Sequence, residues 1–190
     1  MKTIAIDLDD TLNDFSATLR TFEFVHDDSY AVSPETFARY LAKLRTDTPD
    51  ESDLLSTEYS FFRYKVHHQC YQLARPRLDG VEFMHWLRAE GWRIVICTYR
   101  DLRRANDCTR QWLGDHGIPF DHLFMAWNKI VFCRLWGIAH LVDDDLFNID
   151  HGEAYGVKVY FPVMEKHRGR PAAGARGFSA FGELKPWITG

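Results

Sequence analysis

The chain opens with an apolar run, Thr3-Ile4-Ala5-Ile6, that stops abruptly in Asp7-Leu8-Asp9-Asp10-Thr11-Leu12. An unbroken run of this kind predicts a strand buried on both faces, and such strands belong to parallel sheets covered by helices. Delivering three acids at the end of a central strand constrains the chain further. The acids repel one another unless a cation or a proton intervenes. In an open parallel α/β sheet, ligands sit beyond the carboxyl ends of the strands, where these acids fall. Acids after a strand also serve as plain loop residues or helix caps, so the reading depends on what lies downstream.

Downstream, short apolar runs alternate with helical patterns, the order expected of βαβ units. Strands are predicted at 92–97, at 124–125 (short and weak), at 139–142 and at 157–161. Helices are predicted from about 79 to 91, from about 102 to 116 and from about 129 to 137. Gly91, Gly117 and Gly137 stand where a left-handed residue ends a helix. The stretch between the first two strands, roughly 14–78, exceeds what one crossover needs and reads as entirely helical. Ser33-Pro34 is an N-cap followed by proline, and Phe37, Tyr40, Leu41 and Leu44 then share one helix face. Thr48-Pro49 repeats the start signal and leads into a long aromatic-rich helix to about Arg75. The insertion is expected to form a lid over the carboxyl-end site, with helices packed on the sheet edge as the alternative. From Glu165 onward the chain is rich in Gly, Ala, Pro and Arg and reads as a loop or an ordered tail. Its Lys166, Arg168, Arg170 and Arg176 read as solvated charge, with contact to an anionic ligand or partner as the alternative.

At 190 residues the chain is expected to be one domain, or one domain with an insertion. A net charge of -4 argues against a dominant nucleic-acid-binding surface. No stretch reads as a membrane span or a signal peptide. Cys70, Cys97, Cys108 and Cys133 form no Cys-x-x-Cys pair; they read as reduced core residues of a cytoplasmic protein, with no zinc site.

Four segments fall at predicted strand ends or helix starts: Asp7-Leu8-Asp9-Asp10-Thr11, Ile96-Cys97-Thr98-Tyr99-Arg100, Lys129 after Trp127-Asn128, and Leu141-Val142-Asp143-Asp144-Asp145. Taken in order they resemble the four motifs of the haloacid dehalogenase (HAD) superfamily of phosphohydrolases: Asp-x-Asp-x-Thr, then Thr or Ser, then Lys, then paired acids. The resemblance implies an α/β fold, a three-layer Rossmann-like parallel sheet with a helical cap inserted between the first and second motifs. The core would be 1–13 and 79–190, and the cap 14–78.

A phosphate monoester is dianionic, so a carboxylate nucleophile needs the charge cancelled; Mg²⁺ held by carboxylates does this. In this reading Asp7 attacks phosphorus and Asp9 protonates the leaving alkoxide, then activates water. Family resemblance implies that the Asp9 backbone carbonyl joins Asp7 on the metal, with Asp144 as the closer further ligand and Asp143 nearby. Lys129 would neutralise phosphoryl oxygens and Thr98 would donate to them. Asp145 reads as a helix N-cap and Asn148 as a brace for its loop. Arg100 is expected either to contact substrate or to pair with Asp101 or Asp144.

The resemblance narrows toward the 5′(3′)-deoxyribonucleotidase branch on the position of the insertion and on Leu141-Val142-Asp143-Asp144…Asn148. It departs from that branch at Asp10-Thr11-Leu12 and at Thr98-Tyr99-Arg100. The expected partner is a small phosphorylated substrate, with a nucleoside monophosphate favoured and Phe15 and Phe22 as candidate stacking faces. A homodimer is compatible with the sequence. His67-His68 reads as ordinary histidines, since adjacent residues do not share a helix face. Alternatives are a phosphatase for sugar phosphates, a polynucleotide end-phosphatase, a phosphomutase and a non-catalytic phosphate-binding module.

Overall fold

A computed structural model describes residues 2–48, 50–169 and 174–189 of the protein. Pro49 and Arg170, singled out above, lie outside the described residues. The chain forms two compact units: Met1–Asp14 with Pro76–Gly190, and Phe15–Arg75.

In chain order the elements are β1 (Thr3–Ile6), α1 (Phe15–Thr21), α2 (Pro34–Thr46), α3 (Glu51–Leu55), α4 (Thr57–Leu73), α5 (Leu78–Ala89) and β2 (Arg93–Thr98). They continue with α6 (Leu102–Asp115), β3 (His122–Met125), α7 (Lys129–Leu135), β4 (His140–Val142), α8 (Leu146–His151), β5 (Lys158–Pro162), β6 (Arg176–Phe178) and α9 (Leu184–Thr189).

The first unit is built on a six-stranded sheet of order β3-β2-β1-β4-β5-β6, parallel throughout. Alternation across the strands sorts side chains to two apolar layers. Ile4, Ile6, Ile94 and Ile96 pack with Phe83, Met84 and Leu87 of α5 and Trp112 and Leu113 of α6. Ala5, Val95 and Cys97 pack on the other face with Ile130 and Cys133 of α7 and Ile149 of α8. Burial on both faces is why β1 and β2 read as continuous apolar runs. β1 lies between β2 and β4, with Ile6 level with both Ile96 and Val142. Asp7 and Asp143 therefore leave the sheet side by side, at the point where successive strands depart in opposite directions. That is where such sheets bind ligands.

The stretch read as a tail supplies both β6, parallel to β5, and the closing helix α9, whose Leu184 and Ile188 are buried. A strand of three residues, one of them glycine, is too short to show alternation.

The second unit has its own core of Phe24, Tyr30, Phe37, Tyr40, Leu41, Leu44, Tyr59, Phe62, Val66 and Cys70, among others. Ser33 caps α2 by accepting from the Thr36 amide at 3.2 Å, with Pro34 in the first turn. The single helix expected from Thr48 to Arg75 is instead two. Asp50 and Asp53 form a capping box at the start of α3, and Ser56, with extended backbone, accepts from the Tyr59 amide and starts α4 anew. A short turn of 3₁₀ helix (Asp28–Tyr30) also interrupts the stretch read as helical.

Candidate active site

The loop after β1 is tight: Thr11, Leu12 and Asn13 all donate their amides to the Leu8 carbonyl, and Asp10 sits at φ 61°. Asparagine and aspartate tolerate this left-handed region better than most residues. The turn sends Leu8 and Leu12 into the core and leaves the acids at the sheet edge.

Asp7, Asp143 and Asp144 are all buried and bring carboxylate oxygens within 4.8 Å of one another. Lys129 opens α7 and reaches back between two of them, with Nζ 2.9 Å from Asp7 Oδ1 and 2.9 Å from Asp143 Oδ2. Burial raises the Asp7 carboxyl well above its ordinary range; Lys129 opposes this, while Asp143, Asp144 and Asp9 add to it. Burial likewise pushes Asp143 up to about 6 against the pull of Lys129. On Lys129 burial acts the other way, but the two carboxylates prevail and hold the ammonium charged well above its usual range.

The paired acids are braced individually. Asn148 Nδ2 donates to Asp143 Oδ2 at 2.9 Å, and the Asp145 amide donates to Asp143 Oδ1 at 3.0 Å. Thr11 Oγ1 donates to Asp144 Oδ1 at 2.9 Å. Asp145 caps α8 through the amides of Phe147 and Asn148. Thr98 ends β2 and is buried, one residue beyond the register position level with Asp7.

Two basic residues have acidic partners that the sequence did not name. Lys166, read as solvated, forms an ion pair with Asp144 Oδ2, and neighbouring His167 Nε2 lies 2.9 Å from the Asp144 carbonyl oxygen. Arg100 reaches the first motif loop. Its fork engages Asp9, with Nε 2.9 Å from Oδ2 and Nη2 2.5 Å from Oδ1, and Nη1 donates to Thr109 Oγ1 at 3.1 Å. The Arg100 side chain is fully buried. Asn13 Nδ2 adds a bond to Asp9 Oδ1 at 3.1 Å. The Asp9 carboxylate is thus held by Arg100 and stands outside the Asp7–Asp143–Asp144 cluster. A planar guanidinium matches both oxygens of a carboxylate, which fixes the plane as well as the position. Nothing in the local sequence signalled this pairing, since the partners come from the first and second strand ends.

Phe15 and Phe22 belong to the second unit. Phe15 packs against His67 and Tyr71, at ring separations of 5.1 and 5.5 Å, and Phe22 lies edge-on to Phe24.

The cluster offers only hard oxygen donors, three carboxylates facing the ammonium groups of Lys129 and Lys166. Asp7 Oδ1, though beside Lys129, accepts no well-aligned hydrogen bond. Such a donor set fits a small divalent cation such as Mg²⁺.

Comparison with solved structures finds the same fold over essentially the whole chain. A HAD phosphatase from Thermococcus onnurineus matches with a TM-score of 0.66 and 17% identity, covering 100% of this chain and 99% of that one. The HAD-hydrolase YfnB from Bacillus subtilis, bound to magnesium, matches with a TM-score of 0.63 and 13% identity over 99% and 98% of the two chains. CbbY from Rhodobacter sphaeroides, in complex with phosphate, matches with a TM-score of 0.61 and 15% identity over 97% and 96%. No family model matches the chain, and no curated protein sequence does.

Proposed function

We propose that the chain is a phosphomonoesterase that works through an aspartyl-phosphate and acts on a small phosphorylated metabolite, with a (deoxy)nucleoside monophosphate as the favoured class. The observation that carries this reading is the buried ammonium of Lys129 between Asp7 and Asp143. A lysine used only to neutralise core acids would not be needed at the ligand-binding edge of the sheet, where burying three carboxylates is costly. There it supplies a fixed positive charge beside a nucleophile that must meet a dianion.

Magnesium, when bound through Asp7, Asp143 and Asp144, would cancel further charge on the phosphoryl oxygens. Asp7 forms the new bond to phosphorus as the bond to the leaving oxygen breaks. Asp9, which must first take up a proton and free one oxygen from the Arg100 fork, passes that proton to the leaving oxygen. Asp9, now a carboxylate, takes a proton from the water that attacks phosphorus. Phosphate leaves and Asp7 is regenerated. Among structures of the same fold, one holds phosphate and another magnesium, which agrees with this chemistry. The nucleotide class is supported by the sequence resemblance and the aromatic content of the insertion. The free cysteines suit a cytoplasmic setting.

The test is phosphate release from nucleoside monophosphates, sugar phosphates and p-nitrophenyl phosphate, each with Mg²⁺ and with EDTA. Metal-dependent release concentrated on deoxynucleotides is the expected result. Release from sugar phosphates alone would keep the chemistry and overturn the substrate class. No release from any ester would overturn the reading.

A further inference from the structure

The second unit contains a cavity of about 340 Å³ whose lining includes Arg20 of α1, Arg45 of α2, Arg63 and His67 of α4, and Tyr59. Asp47 is the single carboxylate among the lining residues. Three guanidinium groups around one acid is an excess of positive charge, in a protein of net charge -4. None of the three arginines, nor Asp47, takes part in an ion pair among the described residues. Arg45 is positioned by the end of α1: its Nε and Nη2 donate to the carbonyls of Leu19 and Phe22, at 3.2 and 2.5 Å. Arg20 and Arg63 are exposed and open to a ligand.

Tyr59 is a second, independent observation. It is only 2% exposed, yet its hydroxyl has no hydrogen-bond partner among the described residues. A buried hydroxyl left unsatisfied costs about 1–3 kcal/mol, so phenylalanine would serve better at this position if packing were the whole of its role. A hydroxyl on a residue that lines the same cavity as Arg63 is suited to donate to an oxyanion held there.

We propose that this cavity is a binding site for a phosphoryl-type oxyanion, with Arg20, Arg63 and Tyr59 as its main donors. The oxyanion has two chemical sources: a second phosphate carried by the substrate, or a separate phosphorylated effector.

The first measurement is calorimetric titration of the full-length protein with inorganic phosphate in EDTA. Without a divalent cation the three carboxylates around Lys129 repel a dianion, so phosphate uptake reports the cavity. Wild type is expected to bind phosphate, more weakly at higher salt. Arg63→Gln and Arg20→Gln should each weaken binding about tenfold or more. Tyr59→Phe should weaken it while leaving thermal stability equal or raised. Equal phosphate affinity in wild type and all three variants, or no binding by wild type in EDTA, would overturn the proposal. Activity with Mg²⁺ is measured separately, so failure of the phosphatase reading leaves this result standing. For the sources, a raised KM of Arg63→Gln for bisphosphate esters but not for p-nitrophenyl phosphate identifies the substrate. KM values that stay unchanged in a variant that has lost phosphate binding identify an effector.

Discussion

Three carboxylates and one lysine share a buried volume at the end of β1, and each assigned role makes a distinct prediction. Asp7→Asn is nearly isosteric and removes the nucleophile; turnover should fall by about 10³-fold or more, with the circular dichroism spectrum unchanged. Wild-type rates in that variant would end the nucleophile assignment. Arg100 makes a subtler case, because it would act through Asp9. Arg100→Lys keeps the charge but loses the fork that fixes the carboxylate plane. If Asp9 is the proton donor, the variant's kcat on an alkyl phosphate should fall about 10–100-fold more than on p-nitrophenyl phosphate, whose leaving group needs no proton. Equal losses on both esters would make the pair merely structural. These residues were legible to different degrees. Asp7 and Asp143 are legible because acids directly after apolar runs are costly unless used, whereas Thr98 and Lys129 are legible only through the order of the four motifs. The partnership of Lys166 with Asp144 left no such trace. It lies in a stretch whose composition reads as loop, between β5 and the short β6, and proximity to the site arises only from tertiary folding.

The elements carry their own constraints. α8 and β5 approach so closely at Gly152 that a Cβ there would meet Val159 Cγ2 at 2.3 Å and the Val157 carbonyl oxygen at 2.8 Å. Backbone cannot yield as a flexible side chain does, so Gly152→Ala should cost about 1–3 kcal/mol, read as a lower midpoint in urea denaturation. An unchanged midpoint would mean that the helix shifts freely. On β4, His140 stacks on Tyr160, and its Nδ1 lies 3.1 Å from the phenol oxygen. Burial, with Lys158 assisting, depresses its pKa below the ordinary 6.5. The folded protein therefore resists protonation there, and stability present above pH 6.5 is lost as the pH falls through the folded value. His140→Gln should narrow the drop in Tm between pH 7.5 and 5.5; an identical drop in both proteins would refute the assignment. Helices and central strands were readable where periodicity ran long, as along Phe37, Tyr40, Leu41 and Leu44. The break at Ser56 was not, because Tyr59, Phe62, Val66 and Cys70 continue an apolar face and a single serine within it looks like tolerated polarity.

At the scale of the whole molecule, the second unit has its own core, and the chain leaves and re-enters the first unit at neighbouring points. Asn13 and Pro76 form an antiparallel bridge, and the Arg77 amide donates to the Leu12 carbonyl at 2.8 Å. A short flexible linker can therefore join Asp14 to Pro76 without straining the sheet, since closing a short loop between adjacent ends adds little entropy cost. The sheet, both of its apolar layers and the Asp7–Lys129–Asp143 contacts come from the first unit alone. A chain with 15–75 replaced by a Gly-Ser linker is accordingly expected to fold, with a cooperative thermal transition and retained secondary structure. The chemistry of the first unit and the cavity of the second then separate. The trimmed protein should still release phosphate from p-nitrophenyl phosphate with Mg²⁺, because the proposed nucleophile and its countercharges remain. It should lose the phosphate binding seen in EDTA, because Arg20, Arg63 and Tyr59 have gone. If the insertion also selects substrate, the preference among nucleoside monophosphates measured for the full chain should collapse toward equal rates. A folded but inactive trimmed protein would show that the insertion contributes to the chemistry itself, and one that still binds phosphate in EDTA would place that site outside the insertion.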